Sequence, residues 1–396
     1  MPASNPQDAL PEPRRDAFHH AHVTDIAAGH AIHDTYTGFL PPLLPHLMTS
    51  LALNNTQAGL LSTFLQFPSI FQPVIGVLGD RVSLRWIVII APALTAILMS
   101  MLGWSNSYLL LAVILLAAGL SSAAFHATAP VLAGALSGQE VGKGMGFWMV
   151  GGELGRALGP IIIVTTLHFM SLQAASWLMI PGFLASFLLA LRLRSAPETF
   201  QPQENPASWA VMKAILPLFI PLMGLIAARS LMLAALSTYL PTYLTQTGSA
   251  IWTAGAALTF VEIAGIAGAY AGGLASDRFG RSRVLAITML VSSIFLLLFL
   301  QLNGGVKLMA LIFSGFFALS IAPVIMAIVQ ETYPHQRSLA NGVYMALSFL
   351  IRSAATILFG IVGDTVGLSW AFMLSAIVMM LGLPLIRHLP KPPPAS

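Results

Sequence analysis

Uncharged apolar blocks recur along this chain, many near or beyond the ~20 residues a helix needs to cross a ~30 Å hydrocarbon core. They show neither the alternation of a half-buried strand nor the stripe of an amphipathic helix. Only 8% of the residues are charged against 57% hydrophobic, whereas a soluble domain carries roughly 25% charged residues. So little charge cannot cover a water-facing surface of 396 residues. Polar breaks divide the blocks into twelve candidate spans, near 24–50, 58–79, 86–104, 108–130, 144–168, 172–192, 211–244, 251–275, 284–302, 306–330, 340–363 and 367–388. The first and seventh exceed the length of a span and contain prolines (Pro41, Pro42, Pro45; Pro217, Pro221, Pro241), which predicts kinks and tilt.

Charge sets the orientation. With both termini and the even-numbered connections on one side, that side holds fourteen of the Lys and Arg residues, and the other side holds one, Lys307. Short basic loops stay cytoplasmic, so both termini are expected inside, and the net charge of +4 reads as topology rather than as nucleic-acid binding. Residues 1–22 are polar and Pro-rich without the apolar core of a cleavable signal, so they read as a cytoplasmic tail. The chain has no cysteine, which excludes disulfides, thiolate metal sites and cysteine nucleophiles.

The longest polar stretch between spans lies at 193–210, and the segments on either side resemble each other. Gly76-Val-Leu-Gly-Asp80-Arg81 follows the second span, and Gly273-Leu-Ala-Ser-Asp277-Arg278 follows the eighth. Gly146, Trp148, Met149 and Arg156 align with Gly342, Tyr344, Met345 and Arg352. Ala129-Pro130-Val131 matches Ala322-Pro323-Val324, and Ser176-Trp177 matches Ser369-Trp370. Four matches in order imply an all-α integral membrane protein of twelve transmembrane helices in two pseudo-symmetric six-helix bundles. The bundles are 23–192 and 211–388, with a second cytoplasmic tail at 389–396. Two parallel repeats of this kind place a site near the midplane, open alternately to either side.

Gly273-x-x-x-Asp277-Arg278-x-Gly280-Arg281 resembles the loop signature of the major facilitator superfamily, and a degenerate copy stands at Gly76–Arg85. The resemblance implies the major facilitator fold and a gating role for Asp80, Arg81, Asp277, Arg278 and Arg281; a simple topogenic basic loop is the plainer reading. Gly29-His30-Ala-Ile-His33-Asp34, Gln72-Pro73-x-x-Gly76, Ser121-Ser122-Ala-Ala-Phe125-His126, Val150-Gly151-Gly152-x-x-Gly155-x-x-x-Gly159-Pro160 and Gln330-Glu331-x-x-Pro334 together resemble the fosmidomycin-resistance branch of bacterial drug-efflux proteins. The chain departs from that branch at His33 and at Ala127. Membership would make it a monomer in the bacterial inner membrane.

Ionisable groups at membrane depth are costly and mark functional candidates. Asp34 falls well inside the first span, with His30 one turn earlier and His33 beside it. A partly desolvated carboxylate there can exchange protons near neutrality, so Asp34 reads as the proton-coupling acid with His30 and His126 as helpers. A fixed structural hydrogen bond is the alternative for Asp34, and a core histidine for His126. These histidines offer no spacing that demands a metal, so no metal is expected. Arg156, Arg229 and Arg352 sit inside spans, and with Glu153, Glu262, His33 and Gln66 they are the candidate substrate contacts. Glu153 can pair with Arg156 at i,i+3. Glu262 could bridge to Arg156 across the bundles, and Arg352 could face Gln66 or Gln72. If not all locked in pairs, the arginines can hold a carboxylate, phosphate or phosphonate.

The leading expectation is proton-coupled export of small polar or anionic organic compounds, with the proton gradient as energy source and no cofactor. Uptake symport, lipid-precursor flipping and metal-ion export use similar parts. The chain lacks HExxH, paired catalytic carboxylates and a phosphate-cradling glycine loop, which argues against an enzyme.

Overall fold

The structure is a computed structural model, and it describes residues 18–72, 74–75, 85–194, 209–333 and 337–389. Residues 1–17 and 390–396 of the tails, most of the 193–210 linker, and the first loop signature with Asp80 and Arg81 lie outside the described residues, and the first helix begins at His20, inside the segment read as the N-terminal tail. All regular secondary structure among the described residues is helical.

Proline decides where the spans break. The first span is α1 (His20–Thr37) followed by α2 (Leu40–Leu51), which carries Pro41 and Pro42 in its first turn. A proline nitrogen donates no hydrogen bond and belongs at a helix start, so the break falls at Gly38–Phe39, just ahead of the pair. The second span begins as α3 (Asn55–Gln66), capped by Asn54 and Gln57 in a reciprocal box, and tightens into a 3₁₀ turn at Phe67–Phe71 around Pro68. Next come α4 (Arg85–Ser100), α5 (Tyr108–Ala135), α6 (Val141–Phe169) and α7 (Met179–Leu193). The seventh span joins α8 (Trp209–Leu233) to α9 (Leu240–Gln246) through a π turn at Ala234–Tyr239, directly before Pro241. Then follow α10 (Ile251–Phe279), α11 (Arg281–Gln301), α12 (Gly304–Leu319), α13 (Ile321–Thr332), α14 (Arg337–Val366) and α15 (Leu368–Leu381). The tenth span, read from sequence as one helix, is therefore two, α12 and α13, divided ahead of Pro323.

Ten helical segments among the described residues are long and apolar enough to cross a membrane. The remaining two spans are the first and second, which the breaks at Gly38 and Phe67 shorten. The cores follow the halves: one buried cluster draws on residues between Phe219 and Leu389, and two others draw on residues between Val23 and Leu193. The halves meet where α6 packs on α10, α3 on α14, and α2 on α9.

Two features of the packing position the site. Gly151, Gly155 and Gly159 of α6 lie so close to α1 that a Cβ would strike the carbonyls of Ala27, Ala31 and Thr35 in turn, so the ladder lets the two backbones touch. The hydrogen bonds joining the halves cluster at the end away from the termini. There the Asp364 carboxylate of α14 accepts from the backbone amides of Asn55 and Thr56 at 2.8 Å each and from Thr56 Oγ1 at 2.5 Å. Tyr239 Oη donates to the carbonyls of Asn55 (2.8 Å) and Thr356 (3.2 Å), and Trp252 Nε1 donates to Thr165 Oγ1 (3.2 Å).

Candidate functional site

The N-terminal half gathers four titratable side chains at one point. On α1, His30, His33 and Asp34 are all buried, Asp34 one turn ahead of the break at Gly38 and His30 one turn further back. Gly152 makes room for this: a Cβ on it would meet the His30 ring. The ring instead stacks on Trp148 with centroids 3.5 Å apart, and its Nδ1 donates to the Trp148 carbonyl at 2.9 Å. His126 arrives from α5, its Nδ1 donating to the Ser122 carbonyl at 2.9 Å. His33 stacks on Phe125, reaches Asp34 Oδ1 with Nδ1 at 2.9 Å, and meets Thr95 Oγ1 of α4 with Nε2 at 3.1 Å.

The resulting geometry dictates a proton count. Carbonyl oxygens only accept, so the Nδ1 atoms of His30 and His126 both carry hydrogen. Their Nε2 atoms then face each other at 3.2 Å, with Asp34 Oδ2 3.3 Å from His30 and Oδ1 3.5 Å from His126. Two bare lone pairs at that distance repel, whereas one shared hydrogen turns the contact into a hydrogen bond. The cluster thus suits one proton beyond those of two neutral imidazoles.

Arg156 of α6 closes the group. Its Nη1 lies 3.5 Å from Asp34 Oδ2, and its Nη2 pairs with Glu153 one turn away. No ion pair forms between Arg156 and Glu262, contrary to one sequence expectation. Glu262 of α10 accepts instead from Ser237 Oγ at 2.9 Å, because the π turn carries that hydroxyl to it. It remains within electrostatic reach of Arg156.

The C-terminal half is arranged otherwise. Arg229 of α8 and Arg352 of α14 are half-buried and interact electrostatically with each other. Neither has an ion pair among the described residues, and each leaves its Nε buried without a hydrogen-bond acceptor. Gln66 does not answer Arg352: its Oε1 is also buried and unpartnered, in a pocket lined by Phe349, Leu350 and Ser353. His33, read from sequence as a substrate contact, is fully enclosed and instead holds Asp34 from behind.

The second loop signature forms a bracket. Gly280, at φ +93°, turns the chain between α10 and α11, a conformation that L side chains rarely adopt. Arg281 then binds Asp277 Oδ1 (2.5 Å), Ser276 Oγ (2.5 Å) and Glu331 Oε1 of α13 (2.6 Å). Arg278 lies outside this bracket, over the Phe279 ring.

Two six-helix halves, a polar interior and this bracket meet a sequence match that settles the family: the model of the Major Facilitator Superfamily matches residues 26–274 and 252–396. The chain belongs to the major facilitator superfamily. This facilitator is a multi-pass membrane transporter with a small-molecule substrate, not an enzyme. It is 24% identical over 369 residues to the fosmidomycin resistance protein of Escherichia coli (strain K12), covering 90% of each chain. It is 27% identical over 373 residues to an MFS-type transporter, YfnC, of Bacillus subtilis (strain 168), again covering 90% of each. Among solved structures it superposes on a D-xylose–proton symporter with a TM-score of 0.77 at 14% identity, over 95% of this chain and 99% of that one. A bacterial homologue of the lysosomal transporter Spinster, inward-facing and unoccupied, matches with a TM-score of 0.78 at 12% identity, over 98% and 100%. At such identities the structures speak for the fold alone.

Several residues at the facilitator's site went unsingled in the sequence reading. Trp148 lies in the internal repeat and Glu331 in the Gln330-Glu331-x-x-Pro334 motif, neither of which specifies its role, and Ser237 and Thr95 carry no local signal. Their roles depend on which helix lies opposite.

Proposed function

We propose that this facilitator is a proton-coupled exporter of small organic anions, embedded in a bacterial inner membrane with both termini cytoplasmic. The observation that carries the reading is the pair Arg229 and Arg352, two cations inside the helical bundle with unfilled Nε donors and no ion pair among the described residues, Glu262 reaching Arg352 only at longer range. Buried guanidinium groups of like charge call for an anion, and a planar carboxylate, phosphate or phosphonate suits their forked donors. The unpartnered Gln66 Oε1 favours cargo that also carries a hydroxyl or amide hydrogen.

Coupling would run through Arg156. With Asp34 deprotonated, Arg156 is shared between Asp34 and Glu153. A proton on the Asp34–His30–His126 group weakens the hold on Arg156 and alters the charge that Glu262 and the C-terminal arginines meet. With both termini cytoplasmic, the clasp at the far end would close the path to the outside, as in the state from which an exporter loads. Export agrees with the resistance named in the Escherichia coli relative.

The test is flux in proteoliposomes loaded with a panel of small organic anions and their neutral amides or esters. An imposed proton gradient should drive the anions out, a protonophore should stop them, and the neutral analogues should stay. Anion flux that ignores the protonophore, or equal flux of the neutral analogues, would overturn the proposal.

A further inference from the structure

The pocket that holds a proton is also dimensioned for a metal ion. Two ligand atoms bound about 2.0–2.1 Å from a tetrahedral ion stand about 3.3–3.4 Å apart. The separations here are 3.2 Å between His30 Nε2 and His126 Nε2, 3.3 Å from His30 Nε2 to Asp34 Oδ2, and 3.5 Å from His126 Nε2 to Asp34 Oδ1. His30, Asp34 and His126 are the three-ligand cluster found among the described residues. Three side chains from two helices thus bring one ligand atom each within 4.8 Å of the others, the two imidazoles at tetrahedral spacing and the Asp34 carboxylate offering one oxygen to each side.

The outer arrangement is that of a metal site as well. Histidine ligands usually donate their second ring nitrogen to a carbonyl or carboxylate, which fixes the tautomer and aims the lone pair inward. His30 does so to Trp148 and His126 to Ser122. Asp34 is steadied by His33, itself backed by Thr95. The fourth corner has an approach, because the His126 side chain is 29% exposed while Asp34 is 3% exposed. We propose that His30, Asp34 and His126 bind a first-row divalent transition-metal ion, Zn²⁺ fitting best.

Two imidazoles and one carboxylate, with no thiolate, select borderline ions over Ca²⁺ or Mg²⁺, which prefer oxygen shells of six or more. The ion replaces the hydrogen shared by the two Nε2 atoms, so binding at neutral pH releases about one proton. It also competes with Arg156 for Asp34 Oδ2, leaving that guanidinium to Glu153. The ion would occupy the same group that the proposed function assigns to the coupling proton, but its test reads cation occupancy of the resting protein and requires no flux, so the two readings can fail separately.

The experiment uses the untagged full chain in lipid nanodiscs. Zn²⁺ is titrated calorimetrically in buffers of different ionisation enthalpy, and Co²⁺ by its visible absorption. The expected result is one saturable site, an intense tetrahedral Co²⁺ band, and proton release on binding. His30→Ala and His126→Ala should each weaken binding more than about tenfold, at least the loss seen when only an outer partner is removed. His126, being partly exposed, is the substitution that leaves packing least disturbed. A triple His19→Ala, His20→Ala, His22→Ala variant should bind as the parent does. Absence of a saturable site, undiminished binding in His126→Ala, or loss of binding in the triple variant would each overturn the proposal.

Discussion

The two halves carry buried charge in opposite conditions. Around Asp34 each charged group has partners: three histidines and Arg156 surround one carboxylate, and Glu153 takes up the rest of Arg156. Around Arg229 and Arg352 the reverse holds, with two cations in mutual repulsion and donors left empty. A saturated cluster serves an ion small enough to enter without displacing anything large. An unsaturated one keeps hydrogen-bonding capacity for a ligand that brings its own charge. The repeat that places Arg156 and Arg352 at equivalent positions thus supports two different jobs, because Asp34 faces only the first of them.

The largest effect that would break this comparison is expected at Asp34. Removing one member of a buried, hydrogen-bonded charge pair costs about 2–5 kcal/mol, so Asp34→Asn should lower proton-driven flux about a hundredfold or more. It should also lower the thermal midpoint in detergent, since Arg156 and His33 lose the carboxylate charge and are left with one amide oxygen where two carboxylate oxygens stood. Exchange of substrate across the membrane without a proton gradient should survive. Proton-driven flux near the parent level would refute the assignment of Asp34 as the coupling acid.

Arg352→Gln should move stability the other way. Deleting a half-buried charge that forms no ion pair among the described residues relieves rather than creates a desolvation cost, so the midpoint should rise, by about 1–3 kcal/mol in stability. Anion affinity should fall roughly tenfold or more, equivalent to at least about 1.4 kcal/mol. The two variants therefore form a crossed pair, one losing stability and coupling, the other gaining stability and losing cargo. Thermal shifts of the same sign for both would erase the distinction between the halves.

Which of these features were legible beforehand follows a physical division. Spans, repeat and family depend on composition and order along the chain, and Pro41 even marks a break by a local rule, whereas the division ahead of Pro323 in the tenth span does not stand out in its apolar run. Asp34 was legible because a carboxylate in an apolar run is conspicuous alone. The pairing of Arg156 with Asp34 rather than Glu262 was not, since it depends on the depth and rotation at which α1, α6 and α10 meet. Ser237 reaches Glu262 only through a π turn, a backbone shift with no residue-level signature beyond the nearby proline. His33 likewise looked like cargo-facing chemistry until Phe125 and Thr95 were seen to enclose it.

A smaller perturbation sharpens the comparison from inside the saturated cluster. In Gly152→Ala the new methyl would meet the His30 ring and push it off Trp148 without touching any charge. Overpacking of this kind costs about 1–3 kcal/mol, and the ring cannot keep its contact with His126. Proton-driven flux should fall several-fold and its pH profile should shift, while anion binding at Arg352 is unchanged. If anion affinity drops in step with coupling, the two clusters act as one site and the division between halves fails.

The least disruptive substitution addresses the clasp that holds the halves in their present relation. Asp364→Asn keeps the shape of the side chain but removes the charge that receives the amides of Asn55 and Thr56 at the start of α3. Charge-assisted capping of a helix start is worth about 1 kcal/mol, so the outward-open population should rise about fivefold. The chain has no cysteine of its own, which lets Asn106→Cys and Asn303→Cys carry spin labels without further changes. Both residues are exposed, one in each half, just before α5 and α12. Their distance distribution should gain a longer component in Asp364→Asn, and substrate saturating Arg229 and Arg352 should change its weight. A distribution identical to the parent's would mean that Tyr239 and Trp252 alone keep the far end shut, and that Asp364 caps α3 without gating the path.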